Sequence, residues 1–357
     1  MKIVIDDKIP YIHDAVSRLG VEAVYMQGSK IGSADVRDAD ALIVRTRTRC
    51  DESLLGNSRV SFVATATIGY DHIDTEYMKK AGIEWMNCPG CNSSSVAQYL
   101  KSVLLLLWRD KGMSPTRTTI GIVGQGHVGT KVAAVAESMG MQVLVCDPPK
   151  AEEGAECRYG KFVTLEDIAR ECDVITFHVP LTRGGKHATY HLSGQDFFDS
   201  LQQCPVIINT SRGAVADGNA LIDALYNNKV KDAVIDTWEN EPDIDLRLLD
   251  KAYIATPHIA GYSADGKVNA DNMVIEGLCN HFGLDNPGKI MPPELPYNVT
   301  AHLKELLECR NPNNEESVNR DIALTLYNPL NDSTNLKKAP ERFEEFRGNY
   351  PLRREKW

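Results

Sequence analysis

Apolar residues near the start of the chain fall in short runs, separated by segments with helical spacing. The runs Lys2–Ile5, Ala41–Val44 and Ser61–Ala64 are typical of buried strands, and the segments near Tyr11–Leu19 and Thr75–Ala81 are typical of helices. Alternating strands and helices form a sheet with helices packed against it. The first part of the chain is therefore predicted to be a small α/β unit.

A longer helical pattern follows this unit. Between Ser94 and Arg109, the apolar residues Val96, Leu100 and Val103 recur at the spacing of one helical face. This pattern predicts a long buried helix that leads into the next unit.

From Thr119 the alternation of apolar runs and helical segments starts again, and six further strands are predicted. They are Ile120–Val123, Val143–Val145, Val174–Phe177, Val206–Ile208, Ala233–Asp236 and Tyr253–Ala255. Strands that alternate with helices in this way predict a doubly wound parallel sheet. The segment Ser263–Gly283 then shows helical spacing again, and its helix is expected to return to the first unit.

The stretch Asp285–Pro296 is rich in proline and glycine and predicts a linker. The segment beyond it, of about 60 residues, is too short and too polar to form a core alone, so we expect it to dock onto another subunit.

A glycine motif, Gly124–Gly129, follows the first strand of the second series and opens a helix. Backbone amides at such a turn can bind a pyrophosphate at the positive end of the helix, and His127 and Val128 lie within the same turn. The motif alone is weak evidence. However, the next strand ends at Asp147, where a carboxylate can accept hydrogen bonds from both ribose hydroxyls. The combination predicts a dinucleotide site, and the carboxylate favours NAD over NADP because it would repel a 2′-phosphate.

Further polar groups stand at the ends of later strands, where this fold places its ligand crevice. Thr176 and Asp236 are the predicted cofactor contacts there. Each of them could equally be a strand-end capping residue.

Three side chains near successive strand ends suggest the chemistry: Arg212, Glu241 and His258. Histidine can take a hydroxyl proton near neutral pH. A carboxylate on its other ring nitrogen fixes the tautomer and favours the imidazolium, and an arginine offers two parallel bonds to a substrate carboxylate. The set predicts hydride transfer from a 2-hydroxy acid, although each residue alone also has an ordinary surface or core interpretation.

Charge and cysteine content narrow the function class. The 39 basic and 49 acidic residues give a net charge of −10, which disfavours nucleic acid or anionic membranes as partners. The longest unbroken apolar run, Val103–Trp108, is too short to cross a bilayer. An odd number of cysteines without an export signal predicts reduced thiols in the cytoplasm. Cys88 and Cys91 are interpreted as part of a structural turn in preference to a redox pair.

The motifs resemble those of the D-2-hydroxyacid dehydrogenase family. The matching stretches are Gly124–Gly129 with Asp147, Asn209–Asp217 with Arg212, Asp236–Pro242 with Glu241, and Pro257–Gly261 with His258. The resemblance spans about residues 1–285. It implies a Rossmann-type doubly wound parallel sheet inserted in a flavodoxin-like substrate domain, followed by a small C-terminal α+β dimerisation domain. The implied division is residues 1–93 and 264–285 for substrate binding, 94–263 for NAD and 286–357 for dimerisation.

A closer resemblance is to a branch of this family that acts on a small phosphorylated hydroxy acid as a homodimer. The stretches that carry it are Val44–Thr48, Ala64–His72, Pro89–Asn92 and Phe343–Arg354. It implies substrate contacts at Thr46, Thr67 and Tyr262 and a cofactor contact at Gly261. The position of Thr46 is often serine in that branch, and this change keeps the hydroxyl. Independently of the resemblance, Arg45 and Arg47 flank Thr46 after a strand, so one or both are candidate ligands for the substrate phosphate, with a surface role as the alternative.

Two alternatives remain at this stage. Another enzyme of the same family, acting on 3-phosphoglycerate or glycerate, would share the cofactor and catalytic motifs, and the C-terminal segment argues against it. An NAD-sensing binding protein like the corepressors of this fold is the other alternative, and the acidic charge and the intact Arg212, Glu241 and His258 set argue against that.

Overall fold

In the computed structural model, which describes residues 1–356, the apolar runs of the first part of the chain become one parallel sheet. Its elements are β1 (Lys2–Asp6), α1 (His13–Ser17), β2 (Glu22–Met26), α2 (Ser33–Val36), β3 (Ala41–Val44), α3 (Glu52–Leu55), β4 (Phe62–Thr65), α4 (Thr75–Ala81) and β5 (Glu84–Met86). The strand order is β2-β1-β3-β4-β5, which is the flavodoxin-like order predicted for the substrate domain.

The central strands and the edge strands of this sheet differ in burial. Every residue of β3 and β4 is buried, because a parallel sheet is covered on both faces. The strands β2 and β5 lie at the edges and are only partly buried. The sequence analysis missed both strands: β5 has only three residues and begins with a glutamate, whereas β2 contains the apolar run Ala23–Met26, which was not assigned to a strand.

The second series of strands forms a larger parallel sheet. Its elements are α5 (Ser93–Lys111), β6 (Thr119–Val123), α6 (His127–Ser138), β7 (Gln142–Cys146), α7 (Pro148–Glu152), β8 (Lys161–Phe162), α8 (Leu165–Glu171), β9 (Val174–Phe177), α9 (Gln195–Ser200), β10 (Val206–Asn209), α10 (Gly218–Tyr226), β11 (Asp232–Ile235), α11 (Leu246–Lys251) and β12 (Ile254–Ala255). All six predicted strands are present, and β8 is an additional two-residue strand at one edge.

The strand order β12-β11-β10-β9-β6-β7-β8 is that of a doubly wound sheet, so the predicted fold class is confirmed. The winding reverses between β6 and β9, which pair in parallel. In such sheets ligands bind in the crevice beyond the carboxyl ends of the strands at this switch point. The glycine motif lies there, directly after β6.

The chain divides into two units, and each unit is built from two separate stretches of the chain. One unit comprises Met1–Asn92 and Ser263–Glu294, and the other comprises Ser93–Tyr262 and the segment from Leu295 onward. Helix α12 (Ala264–Phe282) packs on β4, so this segment returns to the first unit. The tail groups with the nucleotide unit, and its standing as a third domain from residue 286 stays a prediction.

The described part of the tail is helical. Its elements are α13 (Tyr297–Glu308), α14 (Glu315–Leu326), α15 (Pro329–Lys338) and α16 (Phe343–Gly348). No β-strand occurs between residues 286 and 356, so the α+β composition expected for this segment is wrong. Few of its apolar residues are buried, and Leu336, Phe343 and Tyr327 join the apolar clusters of the nucleotide unit.

Short 3-10 turns occur at Gly28–Lys30, Pro115–Arg117, Gly213–Val215 and Pro340–Arg342. Within residues 1–356, none of the helices combines the length and the apolar character that crossing a membrane requires.

Candidate active site

The glycine turn at the end of β6 has a backbone that only glycine fits at two positions. Gly124 has a φ of +93°, and a Cβ there would lie 2.6 Å from the carbonyl oxygen of His178. A Cβ at Gly129 would lie 1.8 Å from the carbonyl oxygen of Gly124. Gly126, in contrast, faces open space at the N-terminus of α6. The turn therefore leaves room for a pyrophosphate against exposed backbone, and this fits NAD.

Asp147 lies at the end of β7, beside the same turn. Its carboxylate accepts a hydrogen bond from the amide of Gln125 at 2.7 Å and one from the amide of Lys150 at 3.2 Å. The Lys150 ammonium also donates to the carbonyl oxygen of Gln125. The ammonium of Lys150 therefore lies at the glycine turn, where a positive charge could attract the 2′-phosphate of NADP. The preference for NAD then depends on the carboxylate of Asp147 itself.

Thr176 and His178 follow at the end of β9. Thr176 is fully buried, and its hydroxyl is 3.0 Å from Nε2 of His178. Burial lowers the pKa of His178 to about 3, so the ring is neutral. Among the described residues its buried Nδ1 has no hydrogen-bond partner. His178 therefore keeps one buried ring nitrogen with spare capacity, while a cofactor contact at Thr176 stays a prediction.

Asp236 is fully buried at the end of β11 and holds the loop that carries His258. Its carboxylate accepts hydrogen bonds from the amides of Ile259 at 2.8 Å and Ala260 at 3.0 Å, and from the hydroxyl of Thr256 at 2.6 Å. Burial raises its pKa, although these donors oppose the shift. These hydrogen bonds give Asp236 a role in holding the loop, and its contact with the cofactor stays a prediction.

Glu241 and His258 form a hydrogen-bonded pair. Nδ1 of His258 is 2.8 Å from Oε2 of Glu241 and 3.1 Å from Oε1. The amide of Trp238 donates to Oε1 at 2.9 Å. His258 has a φ of +57°, a left-handed conformation that is costly for a residue with a side chain and is typical of functional sites. With Nδ1 engaged by Glu241, Nε2 is the ring nitrogen available for proton exchange.

The electrostatics keep Glu241 ionised. Burial alone would raise the pKa of this carboxyl, but the hydrogen bond and charge of His258, the amide of Trp238 and the charge of Arg347 outweigh it, and the pKa is lowered. An ionised carboxylate on Nδ1 stabilises the imidazolium that forms when the ring takes a proton. The pair is therefore arranged for general acid–base chemistry.

Arg212 lies on the loop after β10. Its Nη1 donates to the carbonyl oxygen of Ser211 at 2.9 Å, and its own carbonyl oxygen accepts from Nδ2 of Asn209. The strands β10 and β11 pair in parallel, and a Cβ at Gly213 would lie 1.9 Å from the carbonyl oxygen of Trp238. The loop of Arg212 therefore packs directly on the loop that leads to Glu241.

The tail supplies a residue that the sequence analysis did not place in the site. Nη1 of Arg347 in α16 lies 3.5 Å from Oε2 of Glu241. The sequence singled out this stretch only through its resemblance to a dimerising segment, and no local motif links residue 347 to residue 241. Only the folded chain reveals the contact.

A second histidine–carboxylate pair occurs in the same unit. Nε2 of His191 is 2.8 Å from Oε1 of Glu239, and its Nδ1 is 3.4 Å from Asp217. Its exposure equals that of His258, 28% of each side chain. His191 is held between two carboxylates, so neither of its ring nitrogens is left for a substrate.

The predicted substrate residues of the first unit are placed as follows. Thr46 is exposed, whereas the hydroxyl of Thr67 is 2.7 Å from that of Thr65 and donates to the carbonyl oxygen of Gly69. Nη1 of Arg45 donates to the carbonyl oxygen of Lys8 at 3.0 Å. Its buried Nε has no partner among the described residues, which leaves one donor for an anion.

Two further predicted residues follow His258 in the second unit. Gly261 lies in the turn that follows this histidine, and the ring of Tyr262 packs edge-on against that of Tyr350. Their contacts with cofactor and substrate stay predictions.

The Cys88–Cys91 segment is a turn, and burial raises the pKa of both thiols, to about 11 for Cys91. Raised thiol pKa values disfavour the reactive thiolate. Within residues 1–356, no cluster of three His, Cys, Asp or Glu side chains is suited to a metal ion.

Residues 96–260 match the family model described as the D-isomer specific 2-hydroxyacid dehydrogenase, NAD binding domain. The chain is 53% identical to the erythronate-4-phosphate dehydrogenase of Bacteroides thetaiotaomicron, over 99% of this chain and 97% of that protein. It is 38% identical to the erythronate-4-phosphate dehydrogenase of Escherichia coli, over 99% of this chain and 92% of that protein. The similarity therefore includes the tail.

Solved structures of similar fold leave part of this chain unmatched. The NAD-bound 3-phosphoglycerate dehydrogenase of Entamoeba histolytica has a TM-score of 0.66 at 26% identity and covers 83% of this chain and 99% of its own. The D-lactate dehydrogenase of Aquifex aeolicus, solved with NAD and lactic acid, has a TM-score of 0.64 at 24% identity and covers 79% of this chain and 96% of its own.

Proposed function

The chain belongs to the erythronate-4-phosphate dehydrogenase family of D-2-hydroxyacid dehydrogenases, and on this premise we propose that it oxidises 4-phospho-D-erythronate with NAD. The products are 2-oxo-3-hydroxy-4-phosphobutanoate and NADH, in pyridoxal 5′-phosphate biosynthesis. The observation that carries the proposal is the hydrogen-bonded pair of Glu241 and His258 in a unit with a dinucleotide turn.

The cofactor site is built from the loops at the sheet switch point. The residues proposed to hold NAD are Gly124, Gly126, His127, Val128, Gly129, Asp147, Thr176, Asp236 and Gly261. Bound NAD supplies the acceptor for the hydride that leaves C2 of the substrate. The carboxylate of Asp147 accepts hydrogen bonds from the ribose hydroxyls.

His258 acts as the general base. Its Nε2 takes the proton of the C2 hydroxyl as the carbonyl forms, and the resulting imidazolium is stabilised by the ionised Glu241. In the reverse direction the same nitrogen returns the proton. Arg212 binds the substrate carboxylate through its guanidinium and draws electron density toward the developing carbonyl oxygen.

Recognition of the substrate's distal end is proposed for Thr46, Thr67, Tyr262 and Arg45. The net charge of −10 gives no general attraction for a phosphate, so a local cation is needed. Arg45 suits this role, because its Nε is buried and carries no described hydrogen bond. An anion would satisfy that donor.

The active form is proposed to be a cytoplasmic homodimer assembled through the tail. Tyr297 at the start of α13 exposes 88% of its surface and Leu307 on the same helix exposes 38%. Burying such apolar surface favours association. Sedimentation velocity of the purified full chain is expected to give a dimer, and a stable monomer at assay concentrations would contradict this part.

The reaction is tested with a substrate panel. Purified protein is given NAD and, in separate assays, 4-phospho-D-erythronate, 3-phosphoglycerate and glycerate, and NADH formation is followed. The proposal expects the highest kcat/KM for 4-phospho-D-erythronate. Faster turnover of 3-phosphoglycerate or glycerate would contradict the substrate assignment, and NAD binding without turnover of any hydroxy acid would favour a sensor.

A further inference from the structure

The C-terminal tail reaches the catalytic pair through Arg347. The side chain of this arginine is largely buried, with 22% of it exposed. Its Nη1 lies 3.5 Å from Oε2 of Glu241, and its guanidinium also shares a hydrogen bond with the side chain of Tyr262. One residue of the tail thus contacts the carboxylate of the catalytic pair and a tyrosine proposed to bind substrate.

Arg347 is the third group that contacts the carboxylate of Glu241, after the amide of Trp238 and the ring of His258. Oε1 of Glu241 accepts from the amide of Trp238, while Oε2 faces both His258 and Arg347. A buried carboxylate needs its charge compensated and both oxygens oriented. Arg347 provides the fixed positive charge, because a guanidinium stays protonated whatever the state of the histidine.

Arg347 is not on a loose chain end. Six residues later, the guanidinium of the buried Arg353 donates to the carbonyl oxygens of Ile259 at 3.1 Å, Ala260 at 2.6 Å and Tyr262 at 2.7 Å. These carbonyls belong to the loop that directly follows His258. The tail is therefore tied to the same loop whose histidine it influences through Glu241.

This chain is also longer than the structures of similar fold that it matches. The 3-phosphoglycerate dehydrogenase and D-lactate dehydrogenase structures are covered almost completely, yet they leave 17% and 21% of this chain unmatched.

We propose that Arg347 is a positioning residue for the oxidation of the 2-hydroxy acid: it holds Glu241 against Nδ1 of His258, so that the tail forms part of the active site. The inference rests on the proposed function, and it assigns Arg347 no contact with the reacting atoms.

Removing the arginine should change the proton affinity of the pair. Asp236 interacts electrostatically with His258, and Glu344 and Tyr262 interact with Arg347. Arg347 is the cation among these neighbours, so its loss leaves the carboxylates less compensated and the pair binds its proton more tightly. Because the base must be unprotonated to accept the hydroxyl proton, the acid limb of the pH–rate profile should move to higher pH.

The experiment compares Arg347→Gln and Arg347→Lys with Arg342→Gln in the full-length protein. Arg342 is a matched control, since it lies in the same tail but is half-exposed, and its described partners, Glu345 and the ring of Phe346, lie outside the catalytic pair. We expect Arg347→Gln to lower kcat about tenfold at neutral pH, a fraction of what a general base contributes, with little change in KM. NAD affinity should be unchanged, the acid limb should move to higher pH, and Arg347→Lys should recover most of kcat and the wild-type profile.

A merely structural role would lower kcat without moving the pH profile, and that result would overturn the inference. A large rise in KM at constant kcat would overturn it as well, because it would identify Arg347 as a substrate ligand. If Arg347→Gln does not fold, Arg347→Met, which keeps the apolar stem, replaces it. Failure of the wild-type protein to oxidise 4-phospho-D-erythronate would count against the proposed function instead, so the two failures are distinguishable.

Discussion

The two parallel sheets of this protein share one architecture but differ in how the polar groups at their strand ends are engaged. In the nucleotide unit, Glu241 has both oxygens occupied by protein donors, and Asp236 accepts three hydrogen bonds from the loop that carries His258. In the first unit, Arg45 keeps a buried Nε without a partner. The nucleotide unit thus holds a preformed catalytic pair, although Nδ1 of His178 and Oγ1 of Thr210 also lack a partner among the described residues, whereas the spare donor of the first unit, at Arg45, carries a positive charge that suits a phosphate. We therefore expect changes in the nucleotide unit to act on kcat and changes in the first unit to act on KM.

The largest effect is expected at His258. Replacing it by glutamine removes the general base, and kcat should fall about 10²- to 10⁴-fold while NAD binding persists. Steady-state NADH formation and NAD titration measure the two quantities. His191→Gln is the matched control, because His191 also pairs with a carboxylate at 2.8 Å and is equally exposed. Equal losses in both variants would show that His258 has no special role.

The second-largest effect is expected at Arg45 in the first unit, and it concerns KM and not kcat. Arg45→Gln should raise KM for the phosphorylated substrate about 10- to 100-fold with a small change in kcat, since a hydrogen bond to a charged group is lost. The control is Arg49→Gln, in which an exposed arginine that pairs with Asp51 is removed. If Arg45→Gln lowers kcat and leaves KM unchanged, the division of labour between the units is wrong.

A smaller effect is expected at the cofactor turn. Asp147→Asn keeps a hydrogen-bond acceptor for the amide of Gln125 but loses the charge, and NAD should bind about tenfold more weakly. NADP should gain relative to NAD, because the repulsion of a 2′-phosphate is removed. Fluorescence titration with both reduced cofactors checks this. An unchanged ratio of the two affinities would mean that Asp147 does not face the ribose.

The smallest effect concerns stability in the first unit. Burial raises the pKa of Asp271 in α12 to about 7, although the amide of Tyr11 and the charges of Lys267 and Arg45 oppose the shift. A raised carboxyl pKa contributes stability below the ordinary value, and this contribution is lost as pH rises through 7. Asp271→Asn should therefore gain stability relative to wild type as the pH rises from 5 to 8, by about 1.4 kcal/mol for each pH unit up to the raised pKa.

Thermal melts at both pH values test this, with the exposed Asp14→Asn as control. An advantage of the Asp271 variant that is the same at both pH values would contradict the assigned ionisation.

The sequence predicted the central strands and the catalytic pair for one physical reason. Parallel strands are buried on both faces, so β6, β9 and β10 appear as continuous apolar runs, and their carboxyl ends gather in one crevice. Polar residues just beyond the ends of such runs are then brought together. This holds for Glu241 and His258, which meet at 2.8 Å.

What the sequence could not predict depends on long-range packing. The edge strands β5 and β8 are too short to produce an apolar run, and β2 was missed although it contains the apolar run Ala23–Met26. Arg347 and Arg353 reach the catalytic loop only because the helical tail packs on the nucleotide unit. No repeating pattern in the sequence around these arginines indicates such a contact, so only the folded chain shows it.

The central claim, that Glu241 acts through His258, is tested most directly by a double-mutant cycle on kcat. The variants are Glu241→Gln, His258→Gln and the double variant, each measured with 4-phospho-D-erythronate and NAD. If the two residues work as one unit, the double variant should be about as slow as His258→Gln alone. Losses that multiply in the double variant would show that the two side chains act independently, which would contradict the account.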